Sequence, residues 1–406
     1  MRRIGIAITI WLGLPGAALA QTAPTPLLDE PALFTKAMAK FETVVGDDSH
    51  EPRDGLYPEL GGMIPGGGWI SAGPGYRRNL FGRRAFVDAS AAISWRAYKF
   101  AQARLEFPSL ASRRLTLGSQ VLWHDYTQVR YYGLGPTSLE ADASDYRVQA
   151  TTAVGYATWR PRPALAISAN AGVVSRPELS ASAGTFDQEY ADTLQRHAGV
   201  PAAALPRQPR FVHAELSVTA DTRDQPSYPS RGSVLRAAWS TYHDRPDTSL
   251  AFDRYEAEAA YFKPLLGRGV LATRAWGVFS NTGDGHAVPF YFMPGLGGHN
   301  TLRGYADYRF RDRHMVVVNL ETRWALFTHL DLAGFFDAGN VASRLHDLNF
   351  DRTSAGVGVR FRTSTSMMAR LDVARSVEGW RVMFKLSDPF QMERVNKRTA
   401  PLPFVP

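Results

Sequence analysis

The sequence predicts an all-β chain, a single transmembrane antiparallel β-barrel of about sixteen strands. Three observations predict it. From about Gly66 onward apolar and polar residues alternate with period two, as a strand with unlike faces requires. Mean hydropathy is −0.22, and the only long uncharged apolar run is at the extreme N-terminus, so no other segment could cross a bilayer as a helix. Segmentation by turns gives an even strand number with short connections after even-numbered strands and the long ones after odd-numbered strands, the asymmetry of outer-membrane barrels. A soluble sandwich alternates too, but has no reason to keep that parity. The 406 residues include 35 glycines, 12% aromatics and no cysteine, which removes disulfides, thiolate metal sites, cysteine nucleophiles and a lipoprotein anchor together.

In chain order, Met1-Arg2-Arg3, the apolar run Ile4 to Leu14 and Ala18-Leu19-Ala20 form the three parts of a signal peptide over 1–20, with Gln21 as the first mature residue. Residues 21–62 read as a short periplasmic extension. Leu33, Phe34, Ala37, Met38 and Phe41 could line one face of a helix opening near Asp29-Glu30-Pro31, and Pro, Gly and acids from Gly46 to Gly62 break it. A leader and an ordered plug or helix both fit. The barrel is expected over 63–390 and a tail over 391–406. The net charge of +8 comes from arginines scattered singly through alternating segments, without any nucleic-acid-binding spacing. An export signal also argues against nucleic acid. Arginines facing a lumen, or lipopolysaccharide at the rim, account for the charge.

Strands are expected near 66–76, 84–95, 99–107, 114–124, 128–135, 145–159, 163–175, 210–223, 232–245, 251–264, 269–281, 314–327, 329–341, 353–363, 367–376 and 379–388. The alternation is plainest at 315–326, where Val316, Val318, Leu320, Trp324 and Leu326 take one face and Asn319, Glu321 and Arg323 the other. Arg360 and Arg362 likewise alternate with Val357, Val359 and Phe361, and Arg381 and Lys385 with Trp380, Val382 and Phe384.

Three motifs occur in order. The first is Asp221-Thr222-Arg223-Asp224, running through Pro226 and Pro229 to Gly232. The second is Gly297-Gly298, followed by Leu302-Arg303-Gly304-Tyr305, and the third is Phe335-Phe336-Asp337-Ala338-Gly339-Asn340. Together they resemble the turn, loop and strand signatures of the BamA/TamA superfamily, the bacterial surface antigen family of outer-membrane proteins. The resemblance implies that the loop between strands 11 and 12 folds into the lumen and that Arg303 meets acids on strands 12 and 13, here Glu321 and Asp337. Alternation independently turns both acids inward. Gly304 is expected to let the backbone turn tightly and Tyr305 to pack on the wall, with Gly339 in the third motif. Asp221, Arg223, Asp224 and Gly232 read as a periplasmic turn in which Asp caps backbone amides. Gly379, Val382 and Phe384 approximate the family's last-strand signal, with Val377 departing from its polar first position.

Residues 21–62 are too few for a POTRA domain, so the sequence resembles the short subgroup without one. Ten scattered histidines with no H-E-x-x-H, and the absence of a G-x-S-x-G elbow, give no metal, cofactor or enzyme site. The lone loop histidine, His299, reads as structural or solvated. The family implies insertion or translocation of polypeptide, or of lipid, at the bacterial outer membrane through a weakly paired seam between first and last strands. Gly66, Gly67, Gly68, Gly73, Pro74 and Gly75 are expected to weaken that seam. The expected partners are outer-membrane lipid and lipopolysaccharide, an unfolded polypeptide client and a separately encoded periplasmic partner. The alternatives are a passive pore for small solutes and a structural surface barrel with ligand-binding loops.

Overall fold

The structure, a computed structural model, describes residues 26–36, 38, 54–60, 63, 71–181, 191–197, 209–245, 248–266, 268–363, 367–385 and 390. The expected signal peptide, Gly66 to Gly68 and the tail from 391 lie outside these residues.

Among the described residues sixteen strands form the wall: β1 Gly55–Leu60, β2 Ser71–Leu80, β3 Ala85–Ser94, β4 Lys99–Ser109, β5 Leu115–Tyr131, β6 Ser144–Arg162, β7 Leu165–Ala181 and β8 Arg210–Asp221. The second half comprises β9 Gly232–Asp244, β10 Phe252–Leu265, β11 Gly269–Asn281, β12 His314–Phe327, β13 Leu330–Ala342, β14 Arg352–Arg362, β15 Met367–Ser376 and β16 Gly379–Lys385. Each strand pairs antiparallel with the next in the chain.

The count agrees with the expected one through two compensating differences. The expected strands 114–124 and 128–135 are one strand, β5, whose register shifts between Tyr126 and Val129. A bulge re-aims the strand there without ending it. In exchange, residues 55–60 form β1 ahead of the expected barrel start. Among the described residues β1 pairs only with β2, and a strand bonded on one side tolerates Pro58. Gly73, Pro74 and Gly75 are therefore in β2, one place inside the sheet. Their weakening falls on the β2–β3 ladder, which pairs Ala72 with Ile93 and resumes at Gly75 with Ser90. Gly75 is needed on the other side, because a Cβ there would lie 2.2 Å from the Tyr57 ring.

Burial is inverted relative to a soluble protein. Leu320, Trp324, Leu332, Phe336, Val357, Val382 and Phe384 are exposed, while Glu215, Arg236, Glu258, Arg274, Glu321, Asp337, Arg360 and Asp372 are buried. The alternation thus turns apolar side chains toward lipid and charged ones inward, as a membrane-spanning barrel requires. Exposed aromatics form two bands, Trp95, Tyr255 and Trp380 toward the long-loop end and Trp159, Tyr261 and Trp324 toward the short-turn end.

The N-terminal segment docks on the short-turn end. The Leu27 and Leu28 amides donate to the Ala325 and Leu326 carbonyls at 2.9 and 3.0 Å, beside the bulge between Ala325 and Phe327. Glu30 accepts from the His329 amide at 2.9 Å and pairs with its ring nitrogen at 2.8 Å. Burial pushes the Glu30 carboxyl up, but the His329 hydrogen bonds outweigh it and hold the group below the usual glutamate range. Residues 32–36 are helical, one of the two arrangements the sequence leaves open. Leu33, assigned to the apolar face, is 83% exposed, whereas Met38 is buried. Ala37 and Phe41 lie outside the described residues.

Candidate functional site: a loop pinned inside the barrel

The connection between β11 and β12, residues 282–313, turns into the barrel. Its tip is a small hairpin pairing Gly295 and Leu296 with Arg311 and Phe310. Gly297 and Gly298 have φ of +116° and +89°, a region favouring glycine. A Cβ on either would also collide, at 2.3 Å from the Ala306 carbonyl and 2.0 Å from Asp307.

Two apolar clusters join this loop to the wall. Val288, Phe290, Tyr291, Phe292 and Met293 are buried with Tyr126, Tyr131, Tyr146, Phe211, Tyr242 and Phe252, which come from β5, β6, β8, β9 and β10. Leu296, Leu302, Tyr305 and Phe310 are buried with Val278, Met315, Val317 and Val341 of β11 to β13. Tyr305 is edge-on to Phe310 at 5.3 Å. The long-loop half of the lumen therefore has an aromatic filling.

Below it lies a charged layer. Arg303 is 1% exposed, and Glu321 and Asp337 are fully buried. Its Nε and Nη2 donate to the two Asp337 oxygens at 2.9 and 2.7 Å, its backbone amide adds a third bond to Asp337 at 3.1 Å, and Nη1 donates to Glu321. A planar guanidinium can address two carboxylates in this way, and an ammonium cannot. The guanidinium also lies 3.6 Å from the centroid of the Phe335 ring. Asp337 accepts further bonds from Asn319 at 2.8 Å and Ser354 at 3.2 Å.

The wall answers with residues that the motifs did not name. Glu321 also accepts from Arg323 Nε at 2.8 Å and Arg360 Nη2 at 2.7 Å. Arg360 donates to Asp372, which also holds Arg370 at 2.9 Å. Loop carbonyls are gripped in turn: Arg274 reaches Asn300, Asn319 reaches Thr301 and Arg370 reaches His299, at 2.7, 2.6 and 2.7 Å. Strands β11 to β15 thus all contribute to one network around residues 299–304. The signal for Arg360, Arg370 and Asp372 was present, since charges on inward positions of a lipid-facing wall must find partners in the lumen.

Gly304 sits in a tight turn, as expected, with the Tyr305 amide donating to the Leu302 carbonyl at 3.1 Å. It lacks a positive φ, and its smallness also serves close approach: a Cβ would lie 2.6 Å from Ser354 and 2.9 Å from Ser376. Its carbonyl accepts from Ser376 at 2.8 Å. At Gly339 a Cβ would lie 2.5 Å from the Val316 carbonyl, so its place is in the β12–β13 contact. His299 is buried and pairs with Asp307 at 3.2 Å.

The remaining motif residues lie elsewhere. In the β8–β9 turn, Asp221 pairs with Arg223 at 2.6 Å, and Asp224 accepts the amides of Gln225 and Ser230 at 2.9 and 3.0 Å. Gly232 there has φ +98°. Gly379, with φ +113°, opens β16 after a two-residue turn, and Val382 and Phe384 face outward.

The Omp85 superfamily domain matches residues 79–379. The chain belongs to the Omp85 superfamily, so the resemblance carried by its three motifs is one of membership. The structure of BamA from Haemophilus ducreyi lacking POTRA domains 1–3 is similar to it with a TM-score of 0.62 at 15% identity, over 87% of this chain and 77% of that one. CdiB from Escherichia coli is similar with a TM-score of 0.51 at 11% identity, over 82% of this chain and 63% of that one. At these identities the likeness is one of fold. No curated protein matches the chain. The protein is an outer-membrane β-barrel of the protein insertion and translocation family.

Proposed function

We propose that this barrel assists the insertion or transport of polypeptide at the outer membrane, with the pinned loop keeping the lumen closed while the wall does the work. The observation that carries the reading is the filled lumen. Aromatic residues occupy its long-loop half, and a buried charge network fixes the loop beneath them. A passive solute pore has no use for such a filling. A client would then be handled at the seam between β1 and β16. Among the described residues each of these strands pairs on one side only, and β1 is six residues long and contains a proline. An unfolded outer-membrane polypeptide fits that role as client, with a separately encoded periplasmic protein to deliver it and the surrounding lipid and lipopolysaccharide as the medium.

Reconstitution tests this. Vesicles of outer-membrane lipid containing the protein are expected to convert an added unfolded outer-membrane polypeptide to the protease-protected form at least several-fold faster than empty vesicles. Equal rates, with and without a periplasmic extract, would reject an insertion role.

A further inference from the structure

The sequence continues beyond the last strand, and Phe390 is placed where a strand-terminal residue would not be. β16 ends at Lys385 and pairs with β15. Phe390, only 1% exposed, lies instead against β9, β10 and β11, packed with Val234, Ala260, Phe262, Val270 and Ala272. Its ring meets that of Phe262 edge-on at 6.0 Å. On its other side the Arg323 guanidinium from β12 lies 5.3 Å from the Phe390 ring and 4.6 Å from the Tyr228 ring. Tyr228 belongs to the β8–β9 turn and donates its hydroxyl to Asp331 of β13 at 2.6 Å. The pocket is therefore an aromatic and cationic enclosure at the short-turn mouth.

The wall pattern explains why something must fill it. Along β10 the inward row reads Arg254, Glu256, Glu258 and then Ala260 and Phe262. Along β11, Val270 and Ala272 lie below Arg274, and on β9 Val234 lies below Arg236. The charged middle of the lumen thus gives way to an apolar patch at the opening, and an apolar patch facing water marks a contact surface. Residues of this chain cover it.

We propose that this patch is a docking site for the chain's own C-terminal segment, with Phe390 as its anchor at the short-turn mouth, opposite the end filled by the loop between β11 and β12. The Phe390 pocket and the pinned loop meet through shared contacts. Arg323 stacks on Phe390 and donates to Glu321, the carboxylate that also holds Arg303. This inference rests on the lumen face of the barrel and stands apart from any client.

The absence of native cysteine makes the test clean. With Ala272→Cys as reporter in proteoliposomes, a membrane-impermeant maleimide is expected to label at least tenfold faster when Phe390→Ala is added, and to stay slow with Phe390→Leu. In a second chain carrying Val234→Cys and Phe390→Cys, mild oxidation is expected to form an intramolecular disulfide in barrels that retain heat-resistant migration. Equal labelling with Ala or Phe at position 390, or no disulfide in such folded barrels, would overturn the proposal.

Discussion

Arg303→Ala is expected to lower the stability of the folded barrel by about 3–5 kcal/mol, the cost of leaving a buried carboxylate without its cation. The residue that bears the loss is Asp337. Glu321 keeps Arg323 and Arg360, whereas Asp337 is left with the neutral donors Asn319 and Ser354. Two measurements follow: loss of heat-resistant compact migration on gels and an earlier denaturant midpoint. The assignment also fixes the rescue. Adding Asp337→Asn to Arg303→Ala removes the orphaned charge and should recover part of the midpoint, even though a second residue has been changed. Arg303→Lys should recover less than a conservative exchange usually does, because an ammonium cannot reproduce the two-oxygen contact with Asp337 together with the bond to Glu321. Unchanged migration in Arg303→Ala would remove the staple from the account.

Glu321→Gln should be as damaging, again by about 3–5 kcal/mol, and more damaging than Asp337→Asn. Three guanidinium groups converge on Glu321, those of Arg303, Arg323 and Arg360. An amide in its place removes the shared negative charge and turns an N–H group toward donors. Asp337→Asn leaves Arg303 its contact with Glu321, so the loss should be closer to that of a charged hydrogen bond, about 1.5–3 kcal/mol. The order of the two denaturant midpoints is the readout. A smaller effect for Glu321→Gln would mean that the three arginines do not depend on one carboxylate.

The wall was largely legible because its information is local. Alternation at 314–327 and 330–342 by itself turns Glu321 and Asp337 inward, and both are fully buried. Two wall features were not legible, and each depends on a partner. A segment as short as 55–60 carries too little alternation to stand out against Pro58, and only pairing with β2 makes it a strand. A bulge at Tyr126 and Val129 looks like a turn until both flanks are seen on β6.

At the site, the motif residues Arg303, Glu321 and Asp337 could be named in sequence, but not the second layer of Arg360, Arg370 and Asp372. Their inward direction follows from spacing, whereas the choice of partner among many inward charges depends on how β14 and β15 close around the loop. Gly304 shows the same limit. A glycine in a loop suggests a turn, and only the nearness of Ser354 and Ser376 shows that it permits contact with the wall. Phe390 is the furthest case, since no local pattern tells a residue after β16 that its pocket lies on β9 to β11.

Ion conduction through single barrels in planar bilayers tests the central claim most directly, because the account holds that the loop fills the lumen and that Arg303 keeps it there. The wild-type protein should show small, fluctuating currents, and Arg303→Ala a larger and steadier conductance. A large, steady, ungated conductance in the wild-type protein, unchanged by Arg303→Ala, would contradict the account and favour a passive pore.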